Sequence, residues 1–298
     1  MFTNVLVGVD HHHGANDAIA LAKQLSAEGA TLTLAHVYAG DPYVYRGVSA
    51  EYQASVRDQD LEFLATAQAE NGLQACTRWH ESSSVGQGLH ELCDEIDADV
   101  LVVGASARRH LGRVLPGDDA RGALDGAQCA VAVAPRGYGD RPHQFSEIGI
   151  AYDGSPESDR GVCVAKDAAA ACGSRLSALY VIWLPLYVYG GPVADRQDQI
   201  DEMMRFASER IDALGGVEAH VAAGIPVEEL TLYSERVDLL VVGSRGYGPL
   251  GRMIHGSTAQ NLARTAHCPL LVVPRAACLP ATVAAGAVPA GADTPPDC

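Results

Sequence analysis

Apolar residues fall along the chain in short, nearly continuous runs, each followed by a longer stretch with apolar positions three and four apart. Val5–Asp10 is one such run. Ala15–Ala27 follows it, with Ala18, Ile19, Leu21, Ala22 and Leu25 on one face of a 3.6-residue period. The same reading predicts strands at Leu32–Tyr38, Cys76–His80 (the weakest), Val100–Val103 and Val131–Ala134. Between them it predicts an amphipathic helix over Glu51–Ala69, a helix over Val85–Glu95 and a last one near Ala120–Leu124. A second series repeats the alternation. Its strands are Ile148–Tyr152, Leu176–Ile182, Glu218–Ala222, Leu239–Val242 and Leu270–Val273. Its helices are Arg160–Ala171, Arg196–Leu214, Val227–Ser234 and Ser257–Thr265.

The two series are copies. Asp99-Val-Leu-Val-Val-Gly104 recurs as Asp238-Leu-Leu-Val-Val-Gly243, and Cys129 through Pro135 recurs as Cys268 through Pro274, both 139 positions on. Nearer the front, Val9-Asp10 answers to Tyr152-Asp153 at 143, so the first copy carries a few extra residues in its middle. A period near 140 residues is too long for a solenoid and indicates a duplicated domain. Strands that are apolar throughout, each followed by a helix, imply a parallel sheet covered on both faces. The predicted fold class is α/β: two tandem Rossmann-like, doubly wound domains, each a five-stranded parallel sheet with helices on both faces. They span 1–138 and 146–275, joined by a linker over Arg136–Ser146, with residues 276–298, mostly Ala, Pro, Gly, Val and Thr without period, as a disordered tail.

Composition narrows the partners. A 298-residue chain with 48% hydrophobic and 19% charged residues suits two well-filled cores, and no window of about 18 apolar residues suggests a membrane span. The N-terminus runs straight into a strand pattern without a basic region, so a cytoplasmic location is expected. A net charge of −16 and no basic run longer than Arg108-Arg109 argue against nucleic acid. A small phosphorylated ligand is still open, because backbone amides at a helix start hold phosphate without net positive charge. Only Lys23 and Lys166 are lysines, which leaves few candidates for a phosphate-gripping or Schiff-base amine. The eight cysteines form no C-x-x-C pair and read mostly as reduced, buried thiols.

The stretch richest in chemistry follows the fourth strand of the second copy: Gly243-Ser-Arg-Gly246-Tyr-Gly248-Pro-Leu-Gly251-Arg-Met-Ile-His-Gly256-Ser-Thr258. Its glycines allow close backbone approach, and Gly256-Ser257-Thr258 opens a helix whose free amides can receive phosphate oxygens. Gly246-x-Gly248-x-x-Gly251 has the dinucleotide-fingerprint spacing, but no helix starts within it and the residue about 20 positions on is an apolar Leu271. Gly251-x4-Gly256-Ser257 has a P-loop's spacing with Ser257 in place of the lysine, which disfavours a Walker-type NTPase.

Gly243-x2-Gly246-x9-Gly256-Ser257 resembles the G-x2-G-x9-G-[ST] signature of ATP-binding universal stress proteins, and Asp153-Gly154-Ser155-Pro156 resembles that family's first-strand motif. The resemblance covers 3–136 and 146–275 and implies a tandem universal stress protein that binds ATP, with Mg2+ a candidate companion of the phosphates. It implies that Asp153 meets base and ribose and that Val181 meets adenine. Gly243 and Gly246 would pass under ribose and α-phosphate, while Gly256, Ser257 and Thr258 would cradle the outer phosphates. Residue chemistry adds Arg245 and Arg252 as phosphate contacts, and His255 reads as a loop or interface residue. In the family the last strand of each domain is an edge that pairs between domains, so Cys129–Ala134 and Cys268–Val273 are expected to join the copies, with a further homodimer open.

The first copy departs from this pattern. Ala107 stands where the second glycine should be, and Asp118-Asp119 where the hydroxyl should be. At about 4 Å and an effective dielectric near 20, a like-charge contact costs about 4 kcal/mol. That is as much as the whole free energy of millimolar binding, about 4 kcal/mol. Weak or absent ATP binding is expected there, with Asp118 as a helix cap. Asp10-His-His-His-Gly14 replaces D-G-S-P. Consecutive histidine side chains diverge and no His, Asp or Glu cluster at helical spacing supports them, so no metal is expected and the loop reads as facing the degenerate cleft. His36 and His80 read as core or cleft-lining residues of strands.

No nucleophile, base and orienting group stand in a recognisable arrangement, so the expectation is a nucleotide-binding stress-response regulator and not an enzyme, with slow ATP hydrolysis at most. An adenine-nucleotide α-hydrolase-like enzyme that adenylates a small substrate, and a ligand-free dimerising module, are the alternatives.

Overall fold

The computed structural model describes residues 1–11, 14–40, 50–105, 109–110, 113–114, 118–140, 144–183, 197–244 and 257–274. The first half runs β1 (Phe2–Gly8), α1 (Gly14–Leu25), β2 (Ser26–Ala39), α2 (Ala50–Glu70), β3 (Cys76–Ser82), α3 (Val85–Glu95) and β4 (Val100–Gly104). A two-residue ladder of β5 (Arg109–His110) and β6 (Arg113–Val114), then α4 (Asp118–Leu124) and β7 (Ala130–Ala134), complete it. The second half runs β8 (Glu147–Ala151), α5 (Pro156–Cys172), β9 (Arg175–Ile182), α6 (Gln197–Asp212) and β10 (Glu218–Ala223). It closes with α7 (Pro226–Tyr233), β11 (Leu239–Gly243), α8 (Ser257–Thr265) and β12 (Leu270–Val273). The tail predicted at 276–298 lies outside the described residues.

Each half is the expected five-stranded parallel sheet, in the orders β3-β2-β1-β4-β7 and β10-β9-β8-β11-β12. The two sheets are one. β7 and β12 pair antiparallel, Val131 with Val272, Ala132 with Leu271 and Val133 with Leu270, giving ten continuous strands. Because the copies are 139 residues apart there, Ala132 pairs with its own counterpart Leu271, while Val131 and Val133 each pair with the counterpart of the other, so a pseudo-two-fold axis passes through Ala132 and Leu271. The contact has the isologous geometry of a symmetric dimer, inside one chain. Two apolar edges that would otherwise be open for pairing become the buried middle of the sheet.

Alternation along the strands divides the core between two faces. Val5, Val7, Val100, Val102, Leu239 and Val241 pack under α1, α2, α5 and α6. Leu6, Leu101, Val103, Leu240 and Val242 pack under α3, α4, α7 and α8. Both layers run through the β7–β12 junction from one half to the other.

Duplicated polar contacts fix the same frame twice. Asp99 Oδ2 accepts from Thr3 N at 2.8 Å and Asn4 N at 2.9 Å, and Asp238 Oδ2 accepts from Ser146 N at 2.8 Å and Glu147 N at 2.9 Å. The two lysines are counterparts as well. Lys23 Nζ donates to the Asn71 carbonyl at 2.7 Å and Lys166 Nζ to the Leu214 carbonyl at 2.5 Å, just past the ends of α2 and α6.

Three readings need correction. β2 begins at Ser26, not Leu32: Phe2 bridges Ser26 and the register then shifts before Asn4, with Gly29 at φ 78°. α2 has little apolar bias to one side, because its buried positions include the carboxylate of Asp60 beside Leu64 and Ala67. Of the described cysteines, Cys93, Cys129 and Cys268 are buried, but Cys76, which opens outer strand β3, and Cys163 on α5 are exposed. Among the described residues no helix is long and apolar enough to cross a membrane.

The last residues of β4 and β11 meet the starts of α1 and α5. A Cβ on Gly243 would lie 2.6 Å from the Glu157 carbonyl group and 2.9 Å from Ser158 N, and a Cβ on Gly104 would overlap the backbone of Gly14. Gly104→Ala and Gly243→Ala are therefore both expected to destabilise the fold, each by about 1–3 kcal/mol as overpacking does. Leu271→Ala, at the buried pseudo-dyad, should cost about 2–5 kcal/mol. Urea unfolding of the full chain checks all three, and the two glycine variants should fall together.

Candidate functional site

The carboxyl ends of β8, β9 and β11 open into a pocket between α5, α7 and α8. Parallel α/β sheets bind ligands at these ends. Its floor is apolar, formed by Ala151, Leu179, Val181, Leu230 and Val242, with Pro226 at one side. Its polar wall comes from Asp153, Ser155, Ser158 and Thr258, the last at the first turn of α8. An apolar slot with a few convergent polar groups is the usual form of a small-molecule site.

The D-G-S-P stretch is a turn in which every residue has a local task. Asp153 Oδ1 accepts from Ser155 N at 3.0 Å and from Ser155 Oγ at 2.5 Å. Gly154 sits at φ 73°, where a side chain is strained and where a Cβ would also strike the Arg210 guanidinium. Arg210 donates to the Gly154 carbonyl at 3.2 Å. Ser155 caps α5, its hydroxyl accepting from Ser158 N at 3.2 Å, and Pro156 follows in the first turn. The next side chain inward, Tyr152, donates its hydroxyl to Asp159 Oδ1 at 3.1 Å. Burial first, and the Asp159 carboxylate second, push the Tyr152 phenol above its ordinary range, so it stays a neutral donor.

Of the residues singled out from the sequence, the fold brings Asp153, Val181, Gly243 and Thr258 to this one pocket. Ser257 begins α8 beside Thr258. Arg245, Gly246, Arg252, His255 and Gly256 lie outside the described residues, as do Ala107 and Gly117 of the first half. Gly243 has a reason beyond any ligand, since it seats the α5 backbone; Gly104 does the same in the first half. Packing alone thus requires the first glycine in a half where Ala107 replaces the second and Asp118 the hydroxyl. Tyr152, Ser155, Ser158 and Leu179 were not singled out. Their signal was present in the D-G-S-P turn and in the inward parity of β9, but not their convergence.

The two halves differ in how their helices close over the sheet. In the first half α3 and α4 cross at Gly86 and Gly122, so close that a Cβ on Gly86 would lie 2.6 Å from Gly122. Counted from the helix starts and the last strands, α7 and α8 carry Val227 and Asn261 at these places. Their side chains forbid that approach, and the pocket lies between α7 and α8. In the first half Leu89 and Val103 fill the space beside Gly8, with a Gly8 Cβ only 3.1 Å from Leu89. α4 begins at Asp118 itself, so Asp118 and Asp119 are its first two residues and Asp118 is not the cap expected ahead of it.

Known proteins are similar to this chain in sequence and fold. The family model described as "Universal stress protein family" matches twice, over residues 1–135 and 144–274. A universal stress protein from Thermus aquaticus is 32% identical over 142 residues, covering 43% of this chain and 98% of that protein. One from Mycolicibacterium smegmatis is 28% identical over 290 residues, covering 90% of this chain and 96% of its own length. In fold, the crystal structure of a universal stress protein from Archaeoglobus fulgidus matches with a TM-score of 0.63 at 19% identity, over 92% of this chain and 98% of that one. Two consecutive matches spanning nearly the whole sequence establish that the chain belongs to the universal stress protein family, in tandem form.

Proposed function

We propose that this is a nucleotide-dependent stress-response regulator of the cytoplasm that binds ATP in its second half and does not act as an enzyme. The convergence of Asp153, Val181, Gly243 and Thr258 on one pocket carries the reading. The donor set fits the ligand. The apolar floor around Val181 and Leu179 suits a purine, Asp153 at the β8 end suits ribose hydroxyls, and the α8 start suits phosphate. Ser257 and Thr258 supply hydroxyls there, and Arg245, Gly246 and Gly256 belong to the same signature. Mg2+ would neutralise phosphate charge that this acidic chain does not.

The first half is assigned little or no ATP, because α3 and α4 close over the sheet and Asp118-Asp119 start α4. A response to ATP has a short path between halves. Gln260 on α8 donates to Asp125 Oδ1, just past α4, at 2.8 Å, so a ligand at the α8 start acts one turn from a contact with the other half. A homodimer of the tandem chain belongs to the same proposal.

Ser257→Asp copies the first half's chemistry and keeps a residue that starts helices well. It should weaken ATP binding by about 10–100-fold, the order expected when a charge contact of a few kcal/mol is partly screened. Isothermal titration of ATP into the full chain measures this, with urea unfolding to show that stability is kept; equal affinity in both proteins sinks the assignment. With ATP and Mg2+ alone or with a pool of metabolites, no steady pyrophosphate release is expected. Sustained release would favour the adenylating enzyme instead.

A further inference from the structure

The histidine loop after β1 has a partner set that spacing along the chain did not reveal. His11 converges with His36, near the end of β2, and with Asp60, from the middle of α2. This is the only group of three or more such ligands that gathers among the described residues. His11 Nε2 lies 2.7 Å from Asp60 Oδ1 and His36 Nε2 lies 3.6 Å from the same oxygen. All three ligand atoms fall within 4.8 Å of one another. His12 and His13 lie outside the described residues.

Each inner ligand is held from behind. The His36 Nδ1–H donates to the Val9 carbonyl at 2.8 Å, which leaves Nε2 as the lone-pair nitrogen of the neutral ring. The Trp79 indole N–H donates to Asp60 Oδ2 at 2.9 Å and turns Oδ1 toward the histidines. Such outer hydrogen bonds fix tautomer and orientation in metal sites. They also set an electron pair of His36 against a carboxylate oxygen, an arrangement that a cation between them relieves. Two ligands about 2.1 Å from one tetrahedral ion stand about 3.4 Å apart, and the observed 2.7 and 3.6 Å bracket that spacing. Phe63 walls the group, its ring 4.3 Å from that of His11. Asp60 and His36 are nearly buried, while His11 is 47% exposed and faces a cavity shared with Asp17, Phe63, Arg136 and Asp140, which gives a path for entry.

We propose that His11, His36 and Asp60 bind one divalent transition-metal ion of the zinc class, in the half that has lost its nucleotide signature. Two imidazoles and one carboxylate suit Zn2+ and leave a coordination position open to water or to a ligand in the cavity. The rival is a plain ion pair of His11 with the buried carboxylate, which needs no metal.

The test is titration of the metal-stripped full chain, without nucleotide, with Zn2+ by competition against a chromophoric chelator and with Co2+ by visible absorption. One ion per chain is expected, with a cobalt spectrum of nitrogen and oxygen ligands and no thiolate charge-transfer band. His36→Gln and Asp60→Asn should lower affinity by at least about 100-fold, and Trp79→Phe by about 10–100-fold as outer-shell changes do. His220→Gln, in an exposed His–Glu pair 3.6 Å apart in the second half, should change nothing. Should Asp60→Asn fail to fold, the exposed His11→Gln carries the same expectation. No ion bound at micromolar Zn2+, affinity unchanged in His36→Gln or His11→Gln, or a thiolate band would each overturn the proposal.

Discussion

The antiparallel pairing of β7 with β12 is the constraint from which the rest of the molecule follows. Each copy of the domain ends in a short, wholly apolar strand that cannot remain an open edge in water. Pairing the two satisfies both ladders at once and merges two sheets and two pairs of helical layers into one body. Because the strands are copies, the contact is symmetric about Ala132 and Leu271, and one optimised surface serves both sides. It also sets the first half's α4 beside the second half's α8, the corresponding helices of the two copies.

On this doubled frame the parts that hold the fold are repeated and the residues around the pocket and the histidine loop are not. Asp99 and Asp238 take the same backbone amides, Lys23 and Lys166 the same kind of carbonyl, and Gly104 and Gly243 the same close strand-to-helix contact. Around them the chemistry separates. A turn of Asp153, Gly154 and Ser155 borders an open pocket in one half, while in the other a histidine loop leans on a carboxylate buried in α2 and two glycines let α3 and α4 close together. Duplication lets one copy hold an open pocket while its twin packs its helices together and carries other groups.

The strands and most helices were legible because their signals are local: apolar runs for buried parallel strands, a 3.6-residue period for the helices. The β2 start was missed because the Phe2–Ser26 bridge depends on a partner strand and not on the residues of β2 themselves. α2 was read as amphipathic because a buried carboxylate looks like a surface residue until its partners are known. For the pocket, the D-G-S-P turn and the Gly243-to-Thr258 spacing could be read directly, since both are short-range patterns. The Leu179 and Tyr152 walls could not, because they come from strands that only the sheet sets side by side.

What the sequence determined by itself was the duplication, the α/β class, and the half whose loop keeps glycines and hydroxyls at the helix start. These depend on residue type and spacing, which do not change on folding. Only the tertiary structure decided that the expected pairing of the last strands is antiparallel and centred on Ala132 and Leu271, that Gly104 and Gly243 each seat a helix backbone, and that His11 reaches His36 and Asp60. Each of these is a contact between residues from about 24 to about 140 positions apart, and such contacts are set by which strands and helices lie next to each other, not by any pattern the chain carries locally.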